Sequence, residues 1–177
     1  MVKSRVVLVI GIVLVAALAR LVPHIPNVWP VDALALFGGA YLADRRLAFA
    51  VPLAAMMLSD TILGFDGLGT ELAVYGCAAA TVGLGIWVGR NRSALRIGSA
   101  AVAASLLSFV VTDLAVWAFG TLYPHTFAGL VACYVAAIPF LRNILAGDLA
   151  YTALLFGGFA LLERNLPQIR ESLAVAR

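Results

Sequence analysis

The sequence places a few ionisable residues within or beside long apolar stretches, where charged side chains are rare. They are Arg20, Asp60, Asp113, Arg142 and Asp148, and they come from four or five different hydrophobic segments. A charged group in hydrocarbon costs roughly 2.5–3.5 kcal/mol on insertion scales, so such groups usually face a cavity or one another. We therefore expect these residues either to bind a small molecule in a polar cavity or to hold helices together as ion pairs.

Further polar and aromatic residues lie near the same ends of the hydrophobic segments. Small-molecule sites are mostly apolar and aromatic, with a few placed polar groups, and this set has that character. The predicted substrate-binding residues are Arg20, Asn27, Trp29, Asp60, Asp113, Tyr123, His125, Arg142, Asn143 and Asp148. Asp113 is the strongest candidate, because an unpaired carboxylate within a helix is costly. His24 and Asp32 belong to the wider polar set, while Trp29 and Tyr123 also fit the aromatic belt at a membrane surface.

The sequence carries none of the motifs that commonly identify an enzyme. It has no His-Glu-x-x-His, no Gly-x-Ser-x-Gly and no nucleotide-binding loop. Cys77 and Cys133 have no metal-type spacing, and His24 and His125 match no metal-site signature. We therefore expect no enzyme activity, no catalytic residues, no cofactor and no metal. Any active uptake would draw its energy from a partner or from an ion gradient.

The composition identifies the environment in which these residues must work. The chain has 177 residues, of which 63% are hydrophobic and only 12% are charged, and its mean hydropathy is +1.03. A soluble domain is typically about 45–50% apolar and about 25% charged. The sequence therefore predicts an integral membrane protein with a single transmembrane domain over residues 1–177. The net charge of +3 does not indicate nucleic-acid binding in this context.

Hydrophobic segments and turn signals predict an all-α fold, a bundle of about six transmembrane helices with an outward-facing polar cavity. The helices are expected at about 5–22, 32–43, 47–63, 71–88, 95–119 and 141–162. The second helix is short for a membrane span, and a stiff loop with three prolines precedes it. Residues 126–137 look helical but short, and we expect them to lie along the membrane interface or to dip back into the protein.

Basic residues flank one set of helix ends and fix the expected orientation. Ten of the twelve lysines and arginines lie there: Lys3, Arg5, Arg45, Arg46, Arg90, Arg92, Arg96, Arg164, Arg170 and Arg177. The positive-inside rule assigns these ends to the cytoplasm. We therefore predict that both termini are cytoplasmic and that the polar set lies near the outer face of the membrane.

Three stretches of the chain carry a family resemblance. The first runs from Pro26-Asn27-Val28-Trp29-Pro30 through the short span to Ala40, and the second from Met56-Met57-Leu58-Ser59-Asp60 to Phe65. The third runs from Ala137-Ile138-Pro139-Phe140-Leu141 to Leu149. In these stretches the chain resembles the substrate-binding S components of energy-coupling-factor (ECF) transporters. The third stretch is similar to the pattern that opens the last helix of the biotin-type S components. The layout of the chain also resembles a closely similar uncharacterised bacterial membrane-protein family.

The resemblance implies a transport component of the bacterial cytoplasmic (inner) membrane. Its substrate would be a vitamin-like micronutrient. Its partners would be a transmembrane coupling subunit, ATPase subunits and the lipid bilayer. The substrate would bind in an outward cavity under the loop between the first two helices, and the protein would then topple in the bilayer to release it inside the cell.

The residues themselves leave two other functions open. In a membrane enzyme acting on a lipid or isoprenoid substrate at the outer face, Asp60, Asp113 and Asp148 would be acid–base or metal-binding groups. In a structural membrane subunit, the polar residues would pair among themselves and side chains would fill the cavity. A pore is disfavoured, because the inner halves of the predicted helices carry almost no polar groups to line one.

Overall fold

The computed structural model describes residues 2–18, 20, 28–65 and 67–166, and within them the regular structure is entirely helical. Six helices follow one another along the chain: α1 (Val2–Leu18), α2 (Val31–Tyr41), α3 (Arg45–Leu63), α4 (Leu68–Gly89), α5 (Ala94–Phe119) and α6 (Phe127–Asn165). The predicted all-α fold is confirmed over this part of the chain. Helices α2 to α5 begin and end within about three residues of the predicted bounds.

Four helices, α3 to α6, are long and apolar enough to cross a membrane. A span of the hydrocarbon core needs about 20 predominantly apolar residues. The described apolar part of α1 and the whole of α2 are shorter than this. The length and composition of the four long helices indicate a membrane protein.

Helix α6 differs from its predicted form. The predicted break between a short helix at 126–137 and a final helix from residue 141 is wrong, because one helix of 39 residues runs through both segments. Pro139 lies inside it. Proline removes one backbone hydrogen bond and commonly ends a helix in a soluble protein, which is why the sequence indicated a boundary there. Membrane helices commonly tolerate a proline in their interior, and α6 continues through this one.

Helix α2 lies at the centre of the bundle. Every residue from Asp32 to Tyr41 is buried, and the helix packs against each of the other five helices. Its eleven residues span about 17 Å, well short of the roughly 30 Å hydrocarbon core. Because protein encloses its ends, the helix does not have to reach either membrane surface. This enclosure explains a segment that is too short for an ordinary span.

The crossing of α2 and α4 depends on two glycines. A Cβ atom on Gly39 would overlap the carbonyl oxygen of Val82, and one on Gly85 would overlap the carbonyl oxygen of Leu36. The absence of side chains lets the two backbones approach closely, as small residues commonly do in membrane helix pairs. The close approach fixes the position of Asp32, which lies in the first turn of α2.

The two ends of the bundle differ in chemistry. Where α2 ends, Phe37 and Tyr41 pack against Phe156 and Phe159 of α6, with ring centroids 4.5–5.5 Å apart. The guanidinium of Arg92 lies 4.3 Å from the Tyr41 ring centroid and donates a 3.1 Å hydrogen bond to a backbone carbonyl of α2. This end is closed by aromatic packing. The polar residues gather at the opposite end, where α2 begins.

Candidate functional site

A cavity of about 550 Å³ lies at the end of the bundle where α2 and α4 begin and α3 and α5 end. Its walls combine apolar and aromatic side chains with carboxylates from α2, α3, α4, α5 and α6. Sites for small organic molecules are typically about 300–1,000 Å³ and are built from such a mixture. The volume and the lining are therefore those of a small-molecule site.

Half of the ten predicted binding residues line this cavity. They are Arg20, Trp29, Asp60, Asp113 and Asp148. They come from separate parts of the chain, as the sequence predicted. Asn27 and His24 lie outside the described residues.

The other four predicted binding residues lie away from the cavity walls in the described part of the chain. Tyr123 and His125 are in the turn between α5 and α6, where a His125 ring nitrogen lies 3.2 Å from the Gly120 carbonyl oxygen. Arg142 and Asn143 are on α6, and Arg142 is exposed. Their roles in binding stay predictions.

Arg20 and Asp60 form an ion pair at the cavity wall. A guanidinium Nη lies 2.8 Å from a carboxylate oxygen of Asp60, and the two side chains are only 10% and 7% exposed. The other Nη donates to the Ser59 hydroxyl, and the guanidinium lies 5.3 Å from the Trp29 ring centroid. Tyr75 donates a 2.7 Å hydrogen bond to the second Asp60 oxygen. For Arg20 and Asp60, the ion-pair role that the sequence left open is therefore present.

Asp32 and Asp148 are buried in the cavity wall, in the first turn of α2 and in the middle of α6. Asp32 accepts hydrogen bonds from the hydroxyls of Ser108, at 2.7 Å, and Thr81, at 3.1 Å. Asp148 accepts one from the Ser105 hydroxyl, at 2.6 Å. Asp32 is thus held by hydroxyl donors from α4 and α5, and Asp148 by one from α5. Neither pairs with a basic side chain of the described residues.

The model of the family DUF6580, described as a family of unknown function, matches residues 1–169. The chain belongs to the DUF6580 family. No curated protein matches the chain, and no solved structure does. The matched region contains all six helices of this DUF6580 protein and every residue that lines the cavity.

Asp113 differs from the other carboxylates of the DUF6580 cavity. It lies one turn beyond Phe109 on α5, is partly buried and lines the cavity. Its carboxylate receives no hydrogen bond and forms no ion pair among the described residues. A carboxylate in this position is available to a molecule that enters the cavity.

The charge on the cavity walls is unbalanced. Over the described residues, five acidic side chains (Asp32, Asp60, Glu71, Asp113 and Asp148) and one basic side chain (Arg20) line it. The same part of the chain holds no group of three His, Cys, Asp or Glu side chains arranged to bind a metal ion. The cavity therefore offers carboxylates and hydroxyls, with apolar and aromatic surface around them.

Sequence reasoning missed the hydroxyl groups that hold the buried carboxylates. Ser105 and Ser108 donate to the carboxylates, and together with Thr112 they recur at intervals of three or four residues along α5. This spacing places them on one face of a helix, and Asp113 follows directly. This regular spacing of hydroxyl residues was the signal in the sequence that could have identified them. It was easy to overlook because isolated serines and threonines are common in membrane helices.

Proposed function

We propose that this DUF6580 protein is a membrane-embedded binding component for the uptake of a vitamin-like micronutrient, and that it works with a separate energising module. The observation that carries the proposal is the cavity of about 550 Å³, with partly free carboxylates and aromatic walls, at one end of the bundle. A vitamin-sized molecule fits such a volume. The mixture of polar and apolar walls suits a ligand with both kinds of surface.

The direction of the cavity follows from the distribution of basic residues. Arg45 and Arg46 open α3, and Arg90 and Arg92 lie in the turn between α4 and α5, both at the end opposite the cavity. The positive-inside rule assigns that end to the cytoplasm. The cavity then opens to the outside of a bacterial inner membrane, and both termini are cytoplasmic. This is the orientation that uptake requires.

The resemblance to ECF S components supports the same proposal. Each of the three stretches that carry it contributes at least one residue to the cavity wall: Trp29, Asp60 and Asp148. On this proposal a transmembrane coupling subunit and ATPase subunits supply the energy. The toppling of the whole bundle then carries the substrate across the membrane.

The free volume of the cavity weighs against a purely structural subunit. That function predicted a cavity filled by side chains, with the polar residues paired among themselves. Arg20 and Asp60 are paired in this way, but Asp113 is not, and about 550 Å³ beside it is unfilled by protein. Membrane interiors rarely keep unpaired carboxylates without a functional reason.

Mass spectrometry of small molecules released from gently purified protein tests the proposed function. One stoichiometric vitamin-like compound is the expected result. Asp113→Asn should then lose affinity for that compound, whereas an enzyme would keep binding and lose turnover. Asp44→Asn is the matched control, because Asp44 caps α3 through the Arg46 amide at the opposite end of the bundle and Asn caps equally well. A well-folded protein that retains no compound from any growth medium would refute the proposal.

A further inference from the structure

The uncompensated negative charge on the cavity walls indicates the class of ligand. Arg20 is the one basic side chain among the described lining residues, and its two Nη groups bind Asp60 and Ser59. It is therefore already engaged by the protein. Its Nε has no hydrogen-bond partner but is buried, so a ligand carboxylate or phosphate would have to displace Asp60 to reach the guanidinium.

Asp148 is the most deeply buried of the unpaired carboxylates. It is 4% exposed, lines the cavity and receives one hydrogen bond, from Ser105. The Ser105 hydroxyl also lies 3.0 Å from the Ala101 carbonyl oxygen, so its single proton is shared between two acceptors. No basic side chain in the described ranges pairs with Asp148. One shared hydroxyl is weak compensation for a buried negative charge.

Asp32 adds a second negative group close to the first. It is 7% exposed and is held by two hydroxyls, one of them from Ser108, which lies one turn along α5 from the Ser105 that donates to Asp148. The start of α2 offers a partial positive charge to Asp32, since carboxylates are favoured in the first turn of a helix. That contribution is modest. A positive partner would stabilise two carboxylates buried in a membrane protein interior.

Asp113 supplies a third carboxylate from another helix. Asp32, Asp113 and Asp148 thus reach the cavity from α2, α5 and α6, and none has a basic partner among the described residues. Aromatic surface from Trp29, Phe109 and Phe140 lies in the same walls. Carboxylates combined with aromatic surface are the usual means of recognising an organic cation.

We propose that the cavity of this protein binds a small organic cation, one that carries a protonated or quaternary nitrogen together with an apolar or aromatic part. The nitrogen is held by Asp113 and the Asp32–Asp148 pair. An inorganic ion does not account for a volume of about 550 Å³. This inference rests on the proposed binding function and narrows its substrate to one charge class.

Matched probes of opposite charge test the proposal on the full chain in detergent or lipid nanodiscs at neutral pH. The probe set contains vitamin-sized aromatic and heterocyclic scaffolds, each as an aminoethyl, a hydroxyethyl and a carboxymethyl compound. A second pool is the small-molecule fraction of a bacterial lysate. Compounds retained by the protein are identified by mass spectrometry. We expect the retained compounds to be cationic and the neutral and anionic members of each scaffold to be lost.

Substitutions then connect the retained cation to the carboxylates. Asp113→Asn and Asp148→Asn should each weaken its binding by about 10- to 100-fold, the range for one charge-assisted hydrogen bond. Asp44→Asn, the same chemical change at the far end of the bundle, should leave it unchanged. Retention of neutral or anionic compounds would overturn the cation assignment and leave the binding function standing. Retention of nothing by folded protein would overturn both.

The ligand-free protein offers a test that needs no ligand. If only a bound cation compensates the charge of Asp148, removing that charge relieves the cost of burying it in the ligand-free protein. The melting temperature of Asp148→Asn then equals or exceeds that of the wild type. Asp60→Asn is the contrast, because it removes a charge that is already paired and should lower the melting temperature. A loss in Asp148→Asn as large as the loss in Asp60→Asn would mean that the protein itself compensates Asp148, and would overturn the proposal.

Discussion

At the scale of single residues, the cavity wall contains carboxylates in two different states. Asp60 is satisfied on both oxygens, by Arg20 and by Tyr75. Neither carboxylate oxygen of Asp113 has a hydrogen-bond or ion-pair partner among the described residues. Removing a partner from a buried ion pair leaves an uncompensated charge, whereas removing a free carboxylate does not. The same substitution should therefore have opposite consequences at the two positions.

This contrast gives a prediction for the stability of the Arg20–Asp60 pair. Asp60→Asn should destabilise the protein by about 3–5 kcal/mol, because Arg20 then lies buried without its counter-charge. Tyr75→Phe removes one hydrogen bond from the same carboxylate and should cost about 0.5–1.5 kcal/mol. Chemical unfolding of the purified protein in detergent measures both values.

A double variant provides the control for the pair. Replacing both charges by apolar residues, as in Arg20→Met with Asp60→Leu, leaves no buried charge behind. Its stability should recover most of the loss seen in Asp60→Asn, since apolar replacements of buried ion pairs are often close to neutral. If the loss of stability in the double variant equals the sum of the losses in Arg20→Met and in Asp60→Leu, the two side chains do not depend on each other.

The residue scale also shows how far the sequence could be interpreted. Arg20, Asp60, Asp113 and Asp148 could be identified because charged residues are rare in apolar segments, and all four line the cavity. Their partners could not be identified, since pairing Asp60 with Tyr75 depends on how α3 faces α4. Arg142 met the same criterion of rarity and is exposed on α6, away from the walls. The rotation of a helix about its axis decides such cases, and sequence alone does not give it.

At the scale of helices, the close crossing of α2 and α4 holds the cavity in shape. Gly85→Ala should push the two helices apart, because its Cβ atom would overlap the carbonyl oxygen of Leu36. Overpacking of this kind typically costs about 1–3 kcal/mol. We expect a lower melting temperature together with weaker ligand binding, since Asp32 moves with α2.

Gly83 on the same helix supplies the matched control. A Cβ atom there meets no atom within 4 Å. Gly83→Ala should therefore leave the melting temperature unchanged or raise it slightly, because alanine favours a helix by up to about 1 kcal/mol over glycine. Equal effects of the two substitutions would mean that helix propensity, and not the α2–α4 contact, determines the result.

Among the helices, the bounds of most could be predicted from the sequence, but the continuity of α6 could not. The bounds of α2 to α5 follow from basic turns, glycines and the lengths of apolar runs, which are local signals. The continuity of α6 through Pro139 is not a local property. A proline often ends a helix in water, whereas membrane helices tolerate one in their interior, and the local sequence does not distinguish the two cases.

At the scale of the whole molecule, the protein is polarised from one end to the other. Aromatic packing and arginines close the end where α2 stops, and the acidic cavity lies at the end where α2 starts. Uptake needs the acidic end outside, where it meets a substrate first. The positive-inside rule assigns the arginine end to the cytoplasm, so the charge distribution favours the orientation that the proposed function needs.

Single cysteines at the two ends test this orientation. Thr121 is exposed in the turn between α5 and α6 on the cavity side, and Asn91 is exposed in the turn between α4 and α5 on the arginine side. With Cys77 and Cys133 replaced by alanine, a membrane-impermeant maleimide added to intact cells should label Thr121→Cys and spare Asn91→Cys until lysis. Both variants must label fully after lysis, which shows that each site is reactive. The reverse pattern would place the cavity in the cytoplasm, where an acidic pocket would capture cations already inside the cell and could not serve uptake.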